Sequence, residues 1–547
     1  MQDTQLPIDL FHWALAIVPI LVLLVLLIGL RWKAPEAGSV GMFIAAAIAI
    51  FIYQAPAETV AVAGGKGVWD AIFILFVVWP ALWLYQITER AGAFDALRKG
   101  IERFSSNELF LVLAFGWVFA SFLQGIAGFG TPIAVVAPLL VALGVRPVYA
   151  VAIPLIGHAW ANMFGTLAVG WLATLQVIDL QSLVETAFQT AILLWIPNLV
   201  SGFVIAWLFG RMPAVIHAWP MVVIITLIHG GGQLALVVWD PVLSTFLASA
   251  VALLALYPLS RWSRYDERAE SIEDRPAMIE DKGADKEQED EDEPIMGLWM
   301  AGMPYVILTV AAIIALVIPP VEQALEQVEV GLPFPAVETG YGHENEAEEP
   351  YSPFTPLTHP GTFLLIAAVG GWAVYRSRGY YDKWAEREES GSVWSGLAGN
   401  AIPASIAIVA FLVMSKLMDH SGQTEVLALG IADVAPPAVF AFASNWIGVL
   451  GAFMTSSNTA SNILFAPLQQ ETVLAVDALS EASIIGAQSA GGALGNSIAP
   501  ANVVLGTGTA GIIGQEGEVL RKTLPFALGV AVLIGGLTIL LNTMQFF

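Results

Sequence analysis

Four short stretches of this chain set glycine, hydroxyl and amide residues inside otherwise apolar surroundings. The first is Gly125-Ile126-Ala127-Gly128-Phe129-Gly130-Thr131-Pro132, and the second is Thr455-Ser456-Ser457-Asn458-Thr459 with Ala460, Ser461 and Asn462 after it. Glycine permits a backbone reversal, Thr131 suits an N-cap, and Pro132 suits the first helical position. The second stretch also puts cap residues just before a half-helix, read over 460–468. The other two stretches run from Gly157-His158 through Trp160, Asn162 and Met163 to Gly165-Thr166, and from Gln488-Ser489 through Gly491-Gly492 to Gly495-Asn496-Ser497. Pro500 and Asn502 follow the latter. Free N–H groups and the positive dipole end of a helix start hold an anion without an Arg. Unwound carbonyls and hydroxyls beside them suit a small hard cation.

The expected substrate-binding residues are therefore Gly128, Phe129, Gly130 and Thr131 at one turn and Ser456, Ser457, Asn458 and Thr459 at the other, with Asn462, Gln488, Asn496 and Asn502. Gln124, His158, Asn162 and Asn458 are the coupling-ion candidates. No resident metal is expected; a sodium ion at the turns is the alternative to a proton. Small residues also serve close helix packing, but four breaks placed symmetrically argue for a site. His158 reads equally as a structural or a site residue. His229, in His229-Gly230-Gly231-Gly232, reads as structural.

Non-helical backbone of this kind survives at membrane depth only inside protein or beside a wet cavity, and the composition supplies a membrane frame. Of 547 residues, 57% are apolar and 12% charged, where globular domains are about one quarter charged; the mean hydropathy is +0.73. Asp3 and Asp9 precede the first apolar run and no Lys or Arg does, which argues against a cleaved signal peptide. Cysteine is absent, excluding disulfides and thiol chemistry. The net charge of −24 gathers in two loops, 266–293 and 322–349. Those loops read either as solvated segments without specific function or as a surface adapted to high salt, a halophilic trait.

The predicted fold is an all-α polytopic membrane protein. Twelve spans are read at 10–30, 38–55, 69–86, 147–172, 187–209, 218–238, 241–258, 297–318, 361–375, 394–417, 482–512 and 523–545. The stretches 108–144 and 433–470 are read as re-entrant hairpins. With both termini outside, 20 of the 22 Lys and Arg fall on the inner side, all but Lys66 and Lys416, as cytoplasmic loops require. The halves also resemble each other: Gly92, Leu97 and Gly100 align with Gly422, Leu427 and Gly430. Phe119-Ala120-Ser121 aligns with Phe442-Ala443-Ser444, and Ala137-Pro138-Leu139 with Ala466-Pro467-Leu468. Since the charge count puts one copy inside and the other outside, this is an inverted repeat, as in many secondary transporters. The expected organisation is a first repeat over 1–210, a connecting helix pair over 211–260, an acidic cytoplasmic loop over 261–296, and a second repeat over 297–547 with an acidic outer loop at 319–360.

Gly128-Phe129-Gly130-Thr131-Pro132, the run from Gly451 through Ser457-Asn458-Thr459-Ala460-Ser461-Asn462 to Phe465, and Gly491-Gly492 to Gly495 together resemble the L-lactate permease family of the ion-transporter superfamily. The resemblance covers most of the chain outside the acidic loops, and implies uptake of L-lactate, D-lactate or glycolate with protons. Ser457-Asn458-Thr459 is also similar to the tip of divalent-anion/sodium symporters, a kinship that implies an elevator with a scaffold and a moving transport domain. The chain departs from the family's usual pattern at Gln124, where Glu is common, at Asn458 for Asp, at Asn496 for Lys, and at His158 and Trp160, where smaller or amide residues are usual.

A negative interior opposes entry of an anion by about 2.3 kcal/mol per 100 mV, so accumulation requires a co-transported cation. Either His158 carries a proton, or carbonyls and hydroxyls hold sodium; the resemblance favours the proton and the residues lean toward sodium. The expected partners are a small carboxylate, that cation and the lipid bilayer of the plasma membrane, with a homodimer open and no nucleic acid or cofactor. Rival readings are another small organic anion on the same architecture, or a cation/proton antiporter. The antiporter needs an intramembrane Asp or Glu, and none stands out in the sequence. No Walker loop, His-Glu-x-x-His or Ser/His/Asp set suggests an enzyme.

Overall fold

The computed structural model describes residues 6–103, 105–128, 130–266, 272–279, 293–386 and 392–544, which are mostly helical. Helix α1 spans Leu10–Gly29 and starts where the Asp9 carboxylate accepts from the N–H groups of Phe11 and His12. Then follow α2 (Ala34–Phe51), α3 (Ala57–Arg90) and a short amphipathic α4 (Ala93–Glu102). A helical hairpin comes next, α5 (Glu108–Ile126) and α6 (Thr131–Ala142), and then a broken helix, α7 (Pro147–Gly157) and α8 (Gly165–Leu175). Helix α9 covers Leu183–Val237, and α10 Pro241–Ser260. Helix α11 is Met303–Val317 and α12 is Pro360–Ser377.

From α13 (Val393–His420) the order of α3 to α8 recurs: a short α14 (Gln423–Val434), a hairpin of α15 (Pro437–Thr455) and α16 (Asn458–Ala475), and a broken helix of α17 (Glu481–Gly495) and α18 (Pro500–Thr509). Helix α19, Glu516–Leu541, closes the chain. The turns before α4 and α14 are built alike, on Gly92 (φ +71°) and Gly422 (φ +80°), a left-handed conformation that glycine adopts without cost.

Among the described residues, nine helices are long and apolar enough to cross a membrane, or eleven if each of two bent pairs counts as one. The twelve predicted spans map onto these differently. The spans 187–209 and 218–238 are two arms of α9, divided at Gly210–Arg211, where Arg211 takes φ +56°. The predicted 361–375 and 482–512 correspond to α12 and to α17 with α18, which are not among the nine. The first broken helix bends by 54°.

The all-α expectation needs one correction. The acidic stretch expected outside carries two small antiparallel strand pairs, β1 (Val330–Phe334) with β4 (Glu348–Phe354), and β2 (Val337–Glu338) with β3 (Glu344–Asn345). Glutamates mask a pattern of apolar anchors: Phe334 and Tyr351 meet edge to face at 5.4 Å. Phe354 packs on Trp69 and Phe73 of α3. These strands explain why α3 is longer than its predicted span, because they cover its N-terminal half. The other acidic stretch lies largely outside the described residues. Its described part pairs Arg275 with Glu108 and hydrogen-bonds to Arg146 through the carbonyls of Ala277 and Met278.

Candidate functional site

The first hairpin turns through Ala127, Gly128 and Gly130; Phe129 lies outside the described residues. Gly130 takes φ +86° and caps α6. Thr131, predicted as the cap, is instead the first helical residue and makes no capping bond, because only glycine enters this left-handed turn freely. The Gly128 N–H donates to Thr166 Oγ1 at 2.7 Å. That joins the tip to the start of α8, where Thr166, Leu167 and Ala168 all take positive φ. Such backbone costs of order 1–3 kcal/mol per residue and gathers at functional sites. Gln124 is buried against Gly128 and Gly165.

The second hairpin turns at Ser456 (φ +56°), and the Ser457 side chain caps α16 by accepting from the Ala460 N–H at 3.2 Å. Ser456 Oγ accepts from the N–H of Ala501, in the first turn of α18. Gly130, at the other tip, lies against Leu505 of the same helix. Ala501 and Leu505 are four residues apart, about 6 Å along a helix. The starts of α6, α8, α16 and α18 therefore converge, and their polar partners are backbone N–H groups, hydroxyls and amides. Positive helix ends grouped in this way attract an anion.

Beside the second tip lies a buried chain of amides. Gln469 Nε2 donates to Gln488 Oε1, and Gln488 Nε2 donates to Asn462 Oδ1 at 3.3 Å. Asn462 Nδ2 donates to Thr174 Oγ1 at 3.0 Å and to Met163 Sδ at 3.2 Å. Asn458 Nδ2 also reaches Met163 Sδ, at 3.5 Å, while its Oδ1 has no partner. Thr459 is buried next to it. Where α17 ends, Asn502 Nδ2 donates to the Asn496 carbonyl at 3.2 Å, and Asn496 Oδ1 has no partner.

Two predicted coupling residues sit elsewhere in the break. Asn162 Nδ2 bonds the carbonyls of Ala159 at 3.0 Å and Ala493 at 3.2 Å, pinning the two broken helices together. His158 turns Nδ1 back onto the Pro154 carbonyl. The bonds to Met163, Thr174 and Gln469 escape sequence reading, since isolated polar or sulfur-bearing residues in apolar helices carry no spacing signal. No cluster of three or more His, Cys, Asp or Glu suited to a metal occurs among the described residues.

A second polar group holds a buried carboxylate that did not stand out in the sequence. Asp70 is fully buried in α3, accepts from Tyr351 Oη at 2.8 Å, and lies 3.6 Å from Lys416 Nζ of α13. Lys66 pairs with Glu348 at 2.9 Å. Lys66 and Lys416, the two exceptions to the charge bias, thus flank the Tyr351 ring, under the outer strands and not at the hairpin tips.

A sequence profile described as L-lactate permease matches residues 13–545. The glycolate permease GlcA of Escherichia coli K12 is 27% identical to this chain, over 96% of this chain and 94% of the relative. The L-lactate permease of Salmonella typhi is 28% identical, covering 96% and 95%. That of Halalkalibacterium halodurans is 27% identical, covering 96% of each. A solved structure, the Alcanivorax borkumensis YdaH transporter, aligns with a TM-score of 0.45 at 16% identity, over 87% of this chain and 86% of that one.

Proposed function

We propose, because this chain belongs to the L-lactate permease family, that it carries L-lactate, and with it D-lactate, glycolate or a related small monocarboxylate, into the cell together with a cation. The family is one of multi-pass membrane permeases and not of enzymes. The substrates named for its relatives, L-lactate and glycolate, share a carboxylate with a hydroxyl on the adjacent carbon.

The observation that carries the reading is the convergence of four helix starts at the two hairpin tips. A carboxylate held there by backbone N–H groups needs no fixed positive side chain. The negative interior makes a cation necessary for accumulation. Two seats for it are compatible with the geometry. One is His158. The other is the end of α17, where Asn496 is the C-cap residue at the negative helix end and its Oδ1 has no partner; both suit sodium.

The recurrence of span, short helix, hairpin and broken helix supports an inverted repeat. In this reading the hairpins and broken helices form a moving transport part, while α1 to α3 and α11 to α13 form the scaffold of an elevator. Proteoliposomes test the transport reading directly. Uptake of labelled L-lactate is expected under an imposed proton or sodium gradient, with competition by unlabelled glycolate. Absence of uptake under both gradients would sink the proposal; the gradient that works identifies the ion.

A further inference from the structure

An amide side chain offers donors at one end and an acceptor at the other, and which end faces a site decides what the site recognises. Met163 settles that choice for Asn458. A thioether sulfur only accepts, and Met163 Sδ lies 3.5 Å from Asn458 Nδ2 and 3.2 Å from Asn462 Nδ2. Both amides therefore turn their NH2 groups toward α8. The orientation propagates: Asn462 is free to present Oδ1 to Gln488 Nε2, and Gln488 presents Oε1 to Gln469. Space is reserved for this arrangement on both sides. A Cβ on Gly170 would come within 2.9 Å of Asn458 Nδ2, and one on Gly492 would collide with Asn458 Oδ1.

The result is a carbonyl oxygen with no donor from the protein, on a residue only 3% exposed. A buried acceptor left without a donor is destabilising, so the site retains a demand for one. Asn458 is also the first residue of α16, directly after the cap Ser457, beside the half-buried Ser456 and Ser457. On the lactate reading, a carboxylate at this helix start would set its 2-hydroxyl next to Asn458. The carboxylate itself is repelled by an acceptor oxygen, which removes Asn458 from the groups that hold it. We propose that Asn458, oriented by Met163, accepts a hydrogen bond from the 2-hydroxyl of the substrate, so that Asn458 reads the hydroxyl and Met163 is its positioning residue. The proposal rests on the lactate reading above.

The test is counterflow of labelled L-lactate in proteoliposomes of the full chain, with propionate, which lacks the hydroxyl, as competitor. A site built around a substrate hydroxyl rejects the analogue lacking it, so propionate should compete at least about 100-fold more weakly than lactate in the native protein. Met163→Leu keeps the volume and removes the acceptor. It should cut that ratio about tenfold by weakening lactate while leaving propionate unchanged. Asn458→Ala should lower the ratio at least as far, and decides the matter if the Met163 variant does not fold. Loosened packing would weaken both acids alike and overturn the proposal. So would an unchanged ratio in Asn458→Ala, including one accompanied by altered sodium or proton dependence, which would make Asn458 a cation ligand. A native protein with no lactate counterflow at all would bring down the lactate reading as well.

Discussion

His343 sits in the connection between β2 and β3 with both ring nitrogens against acceptors, Nδ1 at 3.3 Å from Glu425 Oε2 and Nε2 at 3.1 Å from the Asp419 carbonyl oxygen. Only the doubly protonated ring satisfies both. Burial opposes that charge, but the bond to Glu425 and the charges of Asp419 and Glu425 outweigh it and raise the pKa above the ordinary histidine value. Glu471 of α16 and His420 of α13 complete the titratable surroundings. A raised folded-state pKa contributes stability that is full below the unfolded value and lost as pH rises through the folded one. Protection factors for hydrogen exchange over residues 337–345, with the intrinsic pH dependence of exchange divided out, should therefore be higher at pH 6 than at pH 8.5, and His343→Gln should abolish the difference. Equal protection at both pH values in the native chain would remove His343 as the anchor.

Between elements, α3 and α13 cross at close range. A Cβ on Gly67 would lie 2.6 Å from Val413 Cα and 2.8 Å from its nitrogen, and backbone atoms cannot step aside as a flexible side chain can. Gly67→Val should force the two helices apart and destabilise the protein by about 3 kcal/mol or more. Gly64, one turn earlier, meets nothing within 4 Å, so Gly64→Ala should be neutral or stabilising by up to about 1 kcal/mol. Thermal melts in detergent separate the two; matching midpoints would mean that the crossing is looser than described. The same close approach ties each hairpin to its broken helix, where Gly157 meets the Gly116 carbonyl and Gly491 the Asn445 carbonyl. The two halves thus repeat a packing device as well as an order of elements.

For the whole molecule, the charge count predicts the orientation in the membrane, with 20 of 22 basic residues expected on the inner side. The two exceptions have partners, since Lys66 meets Glu348 and Lys416 lies near Asp70. The absence of native cysteine makes the orientation easy to measure. In intact cells, an impermeant maleimide should label Glu346→Cys, which is exposed on the outer strands, and leave Asp285→Cys untouched. The reverse pattern would invert the scheme.

Apolar runs, glycine and proline breaks, cap residues and charge bias act over a few neighbouring residues or along one helix, and all were legible from the chain alone. They placed both hairpins, both broken helices and the tips near Gly130 and Ser457, and the motifs they carry marked the family. Capping was half right, because Ser457 caps through its side chain while Gly130, by its left-handed φ, displaced Thr131. What the sequence could not decide was which end of each amide faces which neighbour, since that depends on contacts between residues hundreds of positions apart. Asn458 became an acceptor only because folding brought Met163 to its NH2 group. Asp70 became a buried, paired carboxylate only because Tyr351 and Lys416 arrived from distant segments. Local pattern determines where helices start, bend and stop; orientation inside a buried polar network is a property of the packed whole.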